Sequence, residues 1–218
     1  QLNKHFPLKA IVLETEGLSP PFETAHPFEI DRDAYEKEVL LTGFGGVIDD
    51  ITEVHSVRSA NEPAAISALQ QIAPDIILVF GTRKLKMPIV ETAKVACLNL
   101  HGGNPEFYRG LDTHLWAIYH GEFEQLVTTI HYVDSRLDNG NIIFEDQLNI
   151  QASTELYQLR AINTKICVNL SLLALESLNY RRLLPNRKQV RQGRYYSFMP
   201  AVLKEECLKK FRRYVRKL

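Results

Sequence analysis

Residues 74–81 read PDIILVFG: five apolar residues, Ile76 to Phe80, run without interruption between Pro74-Asp75 and Gly81. A run this short, with no polar member to face water, is the mark of a strand covered on both faces inside a parallel sheet. Upstream, Pro63 in a first turn and Ile66, Leu69 and Ile72 at helical spacing predict a helix, capped by Asn61 and stopped by Pro74. Downstream, residues 95–100 (VACLNL) form a second buried run. Residues 7–14 and 51–57 predict further strands, and 33–41 a helix followed by a turn rich in glycine (Gly43, Gly45, Gly46). Strands alternating with helices predict an α/β fold built on an open, mostly parallel sheet. Residues 1–6 read as the tail of a helix. The first strand of such a sheet, and most of its helix, are therefore expected to be missing from this sequence, leaving a sheet edge uncovered.

The pattern changes after residues 112–120, a helix with Trp116 on one face. Residues 127–133 and 142–150 predict two strands separated by a polar turn. Leu156, Leu159, Ile162, Ile166, Leu170 and Leu173 then predict one long amphipathic helix over 153–178. The last forty residues read as loop and short strand before a closing basic helix.

Lys and Arg number 26 and Asp and Glu also 26, while 45% of the residues are apolar, which excludes a disordered or collagen-like chain. No uninterrupted apolar run approaches the roughly 18–20 residues of a membrane span. Cys97, Cys167 and Cys207 form no CxxC pair, so reduced thiols in a cytoplasmic protein are expected, and no metal site. The neutral total hides a split. Residues 180–218 hold thirteen Lys and Arg against Glu205 and Glu206, a net of +11, and residues 1–179 carry −11. The expected division is a catalytic domain over 1–179 and a basic extension over 180–218. That extension is expected to meet an anionic ligand, the acidic body or a partner subunit, or simply to be a solvated face.

Polar residues at strand ends mark where α/β sheets place their chemistry. Asn99 and His101 close one apolar strand and share a side of it, being two residues apart. Gly102 and Gly103 follow, and Asp138 lies in the polar turn between the last two strands. Residues 74–143 resemble the folate-dependent formyltransferases, a family that includes the glycinamide ribonucleotide, methionyl-tRNA and sugar N-formyltransferases. The resemblance rests on Asn99, His101, Pro105, Tyr108 and Gly110, then on Thr129, His131, Asp138, Gly140 and Ile142, two blocks at the family spacing.

This resemblance implies a Rossmann-like formyltransferase fold, a cytoplasmic enzyme, and formyl transfer from N10-formyltetrahydrofolate to a primary amine. It makes Asn99, His101 and Asp138 the catalytic residues. The Asn99 amide and a protonated His101 would stabilise charge developing on the formyl oxygen. Asp138 would keep His101 charged at neutral pH and, through a water, take the proton lost by the amine. The donor would lie against Thr82, Arg83, Lys84, Leu85, Val133 and Asp134. The acceptor is expected to meet Gly102, Gly103, Asn104, Tyr108, Arg109 and Trp116. His131 is read as a structural hydrogen-bonding residue.

The usual Ser-Leu-Leu after the catalytic histidine is replaced by Gly103-Asn104-Pro105, which alters the wall facing the amine. No phosphate-binding turn of the glycinamide ribonucleotide kind is found. The forty residues after the long helix are too few for the C-terminal barrel of the methionyl-tRNA enzymes. The nearest resemblance is therefore to the sugar enzymes, whose acceptor is an amino sugar on a nucleotide diphosphate. Hydrolysis of the donor, formylation of another small amine or of methionyl-tRNA, and an anion-binding module are the alternatives. The expected partner is a small anionic amine; a homodimer is allowed, and neither a membrane nor a nucleic acid is expected.

Overall fold

The computed structural model describes residues 1–218. After a single helical turn, α1 (Leu2–His5), come β1 (Ala10–Glu14), α2 (Phe28–Leu41), β2 (Glu53–Val57), α3 (Pro63–Ile72) and β3 (Ile76–Phe80). Next are α4 (Met87–Val90), β4 (Ala96–His101), β5 (Tyr108–Gly110), α5 (Thr113–His120), β6 (Val127–Tyr132) and β7 (Ile142–Gln147). The chain closes with α6 (Leu159–Arg181), β8 (Arg194–Tyr196) and α7 (Ala201–Val215). Helix α3 starts as its sequence requires, with Pro63 where a missing N–H costs nothing. Its cap position, however, is Glu62. The Asn61 side chain reaches away instead, donating to the Lys84 carbonyl and accepting from the Lys86 amide.

The single, mostly parallel sheet expected from the sequence is divided in three. β1 pairs parallel with β2, β5 pairs parallel with β8, and the largest sheet runs β3-β4-β6-β7. That sheet is mixed: β3 and β4 are parallel, whereas β4–β6 and β6–β7 are antiparallel. The reason lies in the connections. The link from Tyr132 to Ile142 is too short for a crossover and can join only antiparallel neighbours. β3 has one neighbour, β4, and β1 has one, β2, so each keeps an unpaired edge. The uncovered edge also corrects the reading of Ile76 to Phe80 as fully buried: only Val79 is buried and Phe80 is 53% exposed. The strand that does fit that description is β4, in which all but Asn99 are buried.

Two apolar clusters hold the molecule together. The larger has 22 buried residues, among them Leu98, Ile118, Ile130 and Phe211, each wholly buried. The smaller has seven, including Val57, Leu69, Val79, Leu85 and Cys97, and lies between α3 and the first strands. A helical stripe of α6 lines the larger cluster through Leu159, Ile166, Cys167, Leu170 and Ala174. Leu173, expected in that stripe, is 48% exposed, because Ala174 and not its neighbour falls on the 3.6-residue period. The α6 region also reaches a mean hydropathy of 1.2 over an 18-residue window, enough in length and composition for a membrane span. Its buried stripe is the one that packs on this core.

The basic segment folds onto the body. Met199, Cys207, Phe211 and Val215 sit in the larger cluster, and β8 is held to β5. Its cations meet acidic residues of the body: Lys204 lies 3.2 Å from Glu29, and Arg187 lies 2.8 Å from Glu106 and 3.0 Å from Glu145. All three cysteines are buried, and burial pushes each thiol up to about 12, so they stay protonated and inert.

Candidate active site

Asn99 and His101 project from the C-terminal end of β4, and the turn between β6 and β7 brings Asp138 to them. That turn has a demanding backbone. Asp138 itself adopts φ 48°, a left-handed conformation that aspartate tolerates better than most residues. Gly140 lies so close to Tyr132 that a Cβ there would collide with the Tyr132 carbonyl. The Gln189 side chain fastens the turn from outside, donating to the Asp138 and Gly140 carbonyls at 3.1 and 2.9 Å.

The three polar groups converge. Asn99 Nδ2 donates to His131 Nε2 at 3.1 Å and, more weakly, to Asp138 Oδ1 at 3.4 Å. Asp138 Oδ2 accepts from the Gly110 amide at 2.9 Å and lies 3.8 Å from His101 Nδ1. His101 Nε2 faces the Tyr108 carbonyl at 2.8 Å, and a carbonyl only accepts, so Nε2 carries a proton. By the same argument His131 Nδ1–H donates to the Tyr132 carbonyl at 2.8 Å, leaving its Nε2 lone pair for Asn99. The expected structural role of His131 is thus specific: it turns the Asn99 amide nitrogen toward Asp138. His101, His131 and Asp138 are 5%, 2% and 7% exposed.

Burial decides the charges. It pushes His101 below the ordinary histidine range, and the attraction of Asp138 only partly offsets this. Against the expectation of a protonated His101, this direction favours the neutral imidazole, with its Nδ1 lone pair beside Asp138. Burial also pulls Asp138 upward, but attraction to positive charge shared onto the His101 and His131 rings, with the hydrogen bond from the Gly110 amide, outweighs it and holds the carboxyl well below its usual range. Asp138 is a carboxylate at any physiological pH.

All three groups line one cavity of about 400 Å³. Thr82, Arg83, Lys84, Leu85, Val133 and Asp134 line the same cavity, so the residues expected at the donor and the catalytic residues share one space. Sequence reasoning overlooked what braces the Thr82–Lys86 loop. The Glu14 carboxylate accepts from the Arg83 and Ala60 amides at 3.3 and 3.1 Å, and Asn61 holds Lys84 and Lys86. The local pattern marked Asn61 only as a helix cap and Glu14 only as a strand end, because each braces the loop across the fold. Leu111, Arg136 and Leu137 also line the cavity unforeseen, although Leu137 adjoins Asp138, and the motif residue Gly110 lines it too.

Of the residues expected at the acceptor, only Gly102 borders this cavity. Gly103 is packed where a Cβ would press on Thr113 and His101. Asn104 is engaged with Gln125 and the Glu106 amide. Arg109 ties the Gly193 carbonyl to that of Leu137, at 2.8 and 3.0 Å. Tyr108 donates to Glu122 and borders a separate cavity, and Trp116 stacks on Tyr196 with ring centroids 5.0 Å apart.

Comparison with known proteins agrees with this geometry. The family model described as formyl transferase matches residues 31–166. A methionyl-tRNA formyltransferase of Synechococcus sp. is 34% identical over 125 residues, covering 55% of this chain and 38% of that protein. One from Clostridium acetobutylicum is 28% identical over 144 residues, covering 65% and 46%. The chain therefore spans less than half the length of these curated relatives. Among solved structures, the formyltransferase PseJ from Anoxybacillus kamchatkensis was determined with UDP-4,6-dideoxy-4-formamido-L-AltNAc and tetrahydrofolate. It superposes with a TM-score of 0.55 at 20% identity, over 87% of this chain and 85% of its own. A 4-N formyltransferase from Francisella tularensis gives 0.56 at 16% identity, over 87% and 76%. At these identities the likeness is one of fold. With the family model matched over most of the chain, this protein belongs to the formyl transferase family.

Proposed function

We propose that the chain transfers a formyl group from N10-formyltetrahydrofolate to a primary amine, and that the amine belongs to a nucleotide-linked amino sugar. The observation that carries the transfer is the convergence of Asn99, His101 and Asp138 on a cavity of about 400 Å³ whose other walls are the donor loops. That cavity suits a flat, polar heterocycle: Val79, Leu85, Leu100 and Val133 offer apolar walls beside the backbone of the Thr82–Lys86 loop. When bound, the donor supplies the electrophilic formyl carbon.

The residues do the rest. As the amine attacks, negative charge grows on the formyl oxygen. The second Asn99 amide hydrogen, held by Asp138 only at 3.4 Å, turns to that oxygen. Neutral His101 takes the amine proton at Nδ1, directly or through one water, while its Nε2–H stays anchored on Tyr108. The Asp138 carboxylate, 3.8 Å away, stabilises the imidazolium as it forms. His101 then returns that proton to N10 of the donor as the bond between the formyl carbon and N10 breaks, releasing the formamide and tetrahydrofolate. A positioned amide donor and a fixed carboxylate are the kind of preorganised arrangement that contributes most to such barriers.

The acceptor assignment draws support from PseJ, a sugar-nucleotide formyltransferase whose own length the superposition covers to 85%. A methionyl-tRNA acceptor is the second reading, favoured by the 34% identity to the Synechococcus enzyme. One experiment separates them. The protein is incubated with the formylated donor alone, with a UDP-linked 4-amino sugar, and with methionyl-tRNA, and tetrahydrofolate release is followed. Release that requires the sugar amine is the expected result. Release with methionyl-tRNA only would move the assignment to the second reading, release without any amine would make the protein a hydrolase, and none in any arm would overturn the transfer.

A further inference from the structure

A second cavity, of about 460 Å³, adjoins the first and shares two residues with it, Asp134 and Arg136. Its character is opposite. Tyr132 is its one hydrophobic lining residue, and it carries three cations, Arg136, Lys188 and Arg191. None of the three is within salt-bridge distance of a carboxylate, whereas other cations of the same segment, Arg187 and Lys204, are paired. Arg191 rests its guanidinium 3.3 Å from the centre of the Phe107 ring, which orients it and leaves its charge unneutralised. The lone carboxylate in the lining, Asp134, is occupied by the Arg136 amide and the Asn139 side chain, at 2.8 and 2.9 Å.

The walls are built rather than loose. The buried Glu106 carboxylate accepts from the Val190 amide at 2.6 Å and from Arg187 at 2.8 Å, and Gln189 clasps the catalytic turn. Residues 188–192 are thereby fixed beside the mouth of the donor cavity. The cavity's excess of cations stands out because residues 1–179 carry a net charge of −11, which repels an anion elsewhere on the body.

We infer that this cavity binds the anionic tail of the donor itself, a γ-linked oligoglutamate running out of the catalytic cavity past Arg136. This inference rests on the donor proposed above. A reduced folate ends in a glutamate with free carboxylates, and each added γ-glutamyl unit brings one more. A chain of carboxylates spaced along a flexible backbone matches three separated, unpaired cations better than one compact ion does. The diphosphate of an acceptor offers similar oxyanion chemistry, and the test distinguishes the two.

Binding of tetrahydrofolate with one and with five glutamates, and of UDP, is measured by calorimetry at low salt. The native protein is compared with Lys188→Gln and with the Lys188→Gln/Arg191→Gln double variant. The native protein is expected to bind the pentaglutamate about tenfold more tightly than the monoglutamate, as several partly screened charge pairs would give. The double variant is expected to lose that preference while binding the monoglutamate within about twofold of the native protein. Should the double variant fold poorly, Lys188→Gln alone is expected to lose part of the preference, and 0.5 M KCl to remove it from the native protein. Equal affinity of the native protein for both tail lengths, or a preference that survives the variants, overturns the inference. UDP affinity that falls in the variants while tail length has no effect would assign the cavity to acceptor phosphate instead. Failure of the monoglutamate to bind the native protein strikes the proposed donor itself, a distinct result.

Discussion

The two apolar clusters differ threefold in size, 22 buried residues against seven, and the catalytic cavity lies on the seam between them. Val79 and Leu85 of its wall come from the small cluster, while Leu100 belongs to the large one. Asn99 and His101 extend from β4, whose Leu98 and Leu100 are in the large cluster while Cys97, on the same face as Asn99 and His101, is in the small one. The two side chains thus stand on a strand that both clusters share, on the face turned to the small cluster. The donor loop is built on the side with an unpaired sheet edge and less buried apolar surface. The expectation is that damage to the large cluster removes the fold, whereas damage to the small one first weakens donor binding and turnover.

The largest effects should come from the shared polar groups. His101→Ala and Asp138→Ala are each expected to abolish turnover while the circular dichroism spectrum stays native; near-normal rates in either would break the assigned roles. Next in size are matched core deletions. Leu98→Ala, in the large cluster, should cost about 4 kcal/mol in denaturant unfolding, and Leu69→Ala, in the small one, about 2 kcal/mol. Equal losses would erase the contrast between the two sides.

Acid should act on the large side first. Burial lowers His101, and lowers His114 to about 4, so in each case the folded protein resists a proton that the unfolded chain accepts near pH 6.5. Stability therefore falls as pH drops below about 6.5, through the window down to the folded values. The depressed Asp138 adds a further loss once pH falls below its ordinary value of 3.8. Turnover should decline on acidification too, because a protonated His101 can no longer take the amine proton. A rate that rises toward pH 5 would indicate that the imidazolium, not the neutral ring, is the active form. The smallest effect belongs to the surface: Arg58 pairs with Glu16 at 2.9 Å but is 77% exposed, so Arg58→Ala should shift stability by no more than about 0.5 kcal/mol.

Legibility followed the range of the interactions. The strands around Asn99 and His131 and the helix α6 were readable because burial imposes a period on neighbouring residues. Their ends moved by a few positions, and Leu173 fell off the stripe, since side-chain type alone does not fix a helix's rotation. The Asn99–His101–Asp138 trio was readable through motif spacing, although 37 residues separate His101 from Asp138. The roles of Glu14 and Asn61, which brace the Thr82–Lys86 loop from other elements, left no local trace, Asn61 reading only as a helix cap.

By itself, the sequence determined which residues are apolar and at what period, hence the elements, and it placed two chemical motifs at strand ends. Only the tertiary structure decided that the sheet is split and turns antiparallel, that Asn99 is aimed by His131, and that burial favours a neutral His101. Those outcomes depend on which groups meet across the fold and how much water remains between them. Pairing, desolvation and through-space charge are properties of the assembled cavity rather than of any stretch of chain.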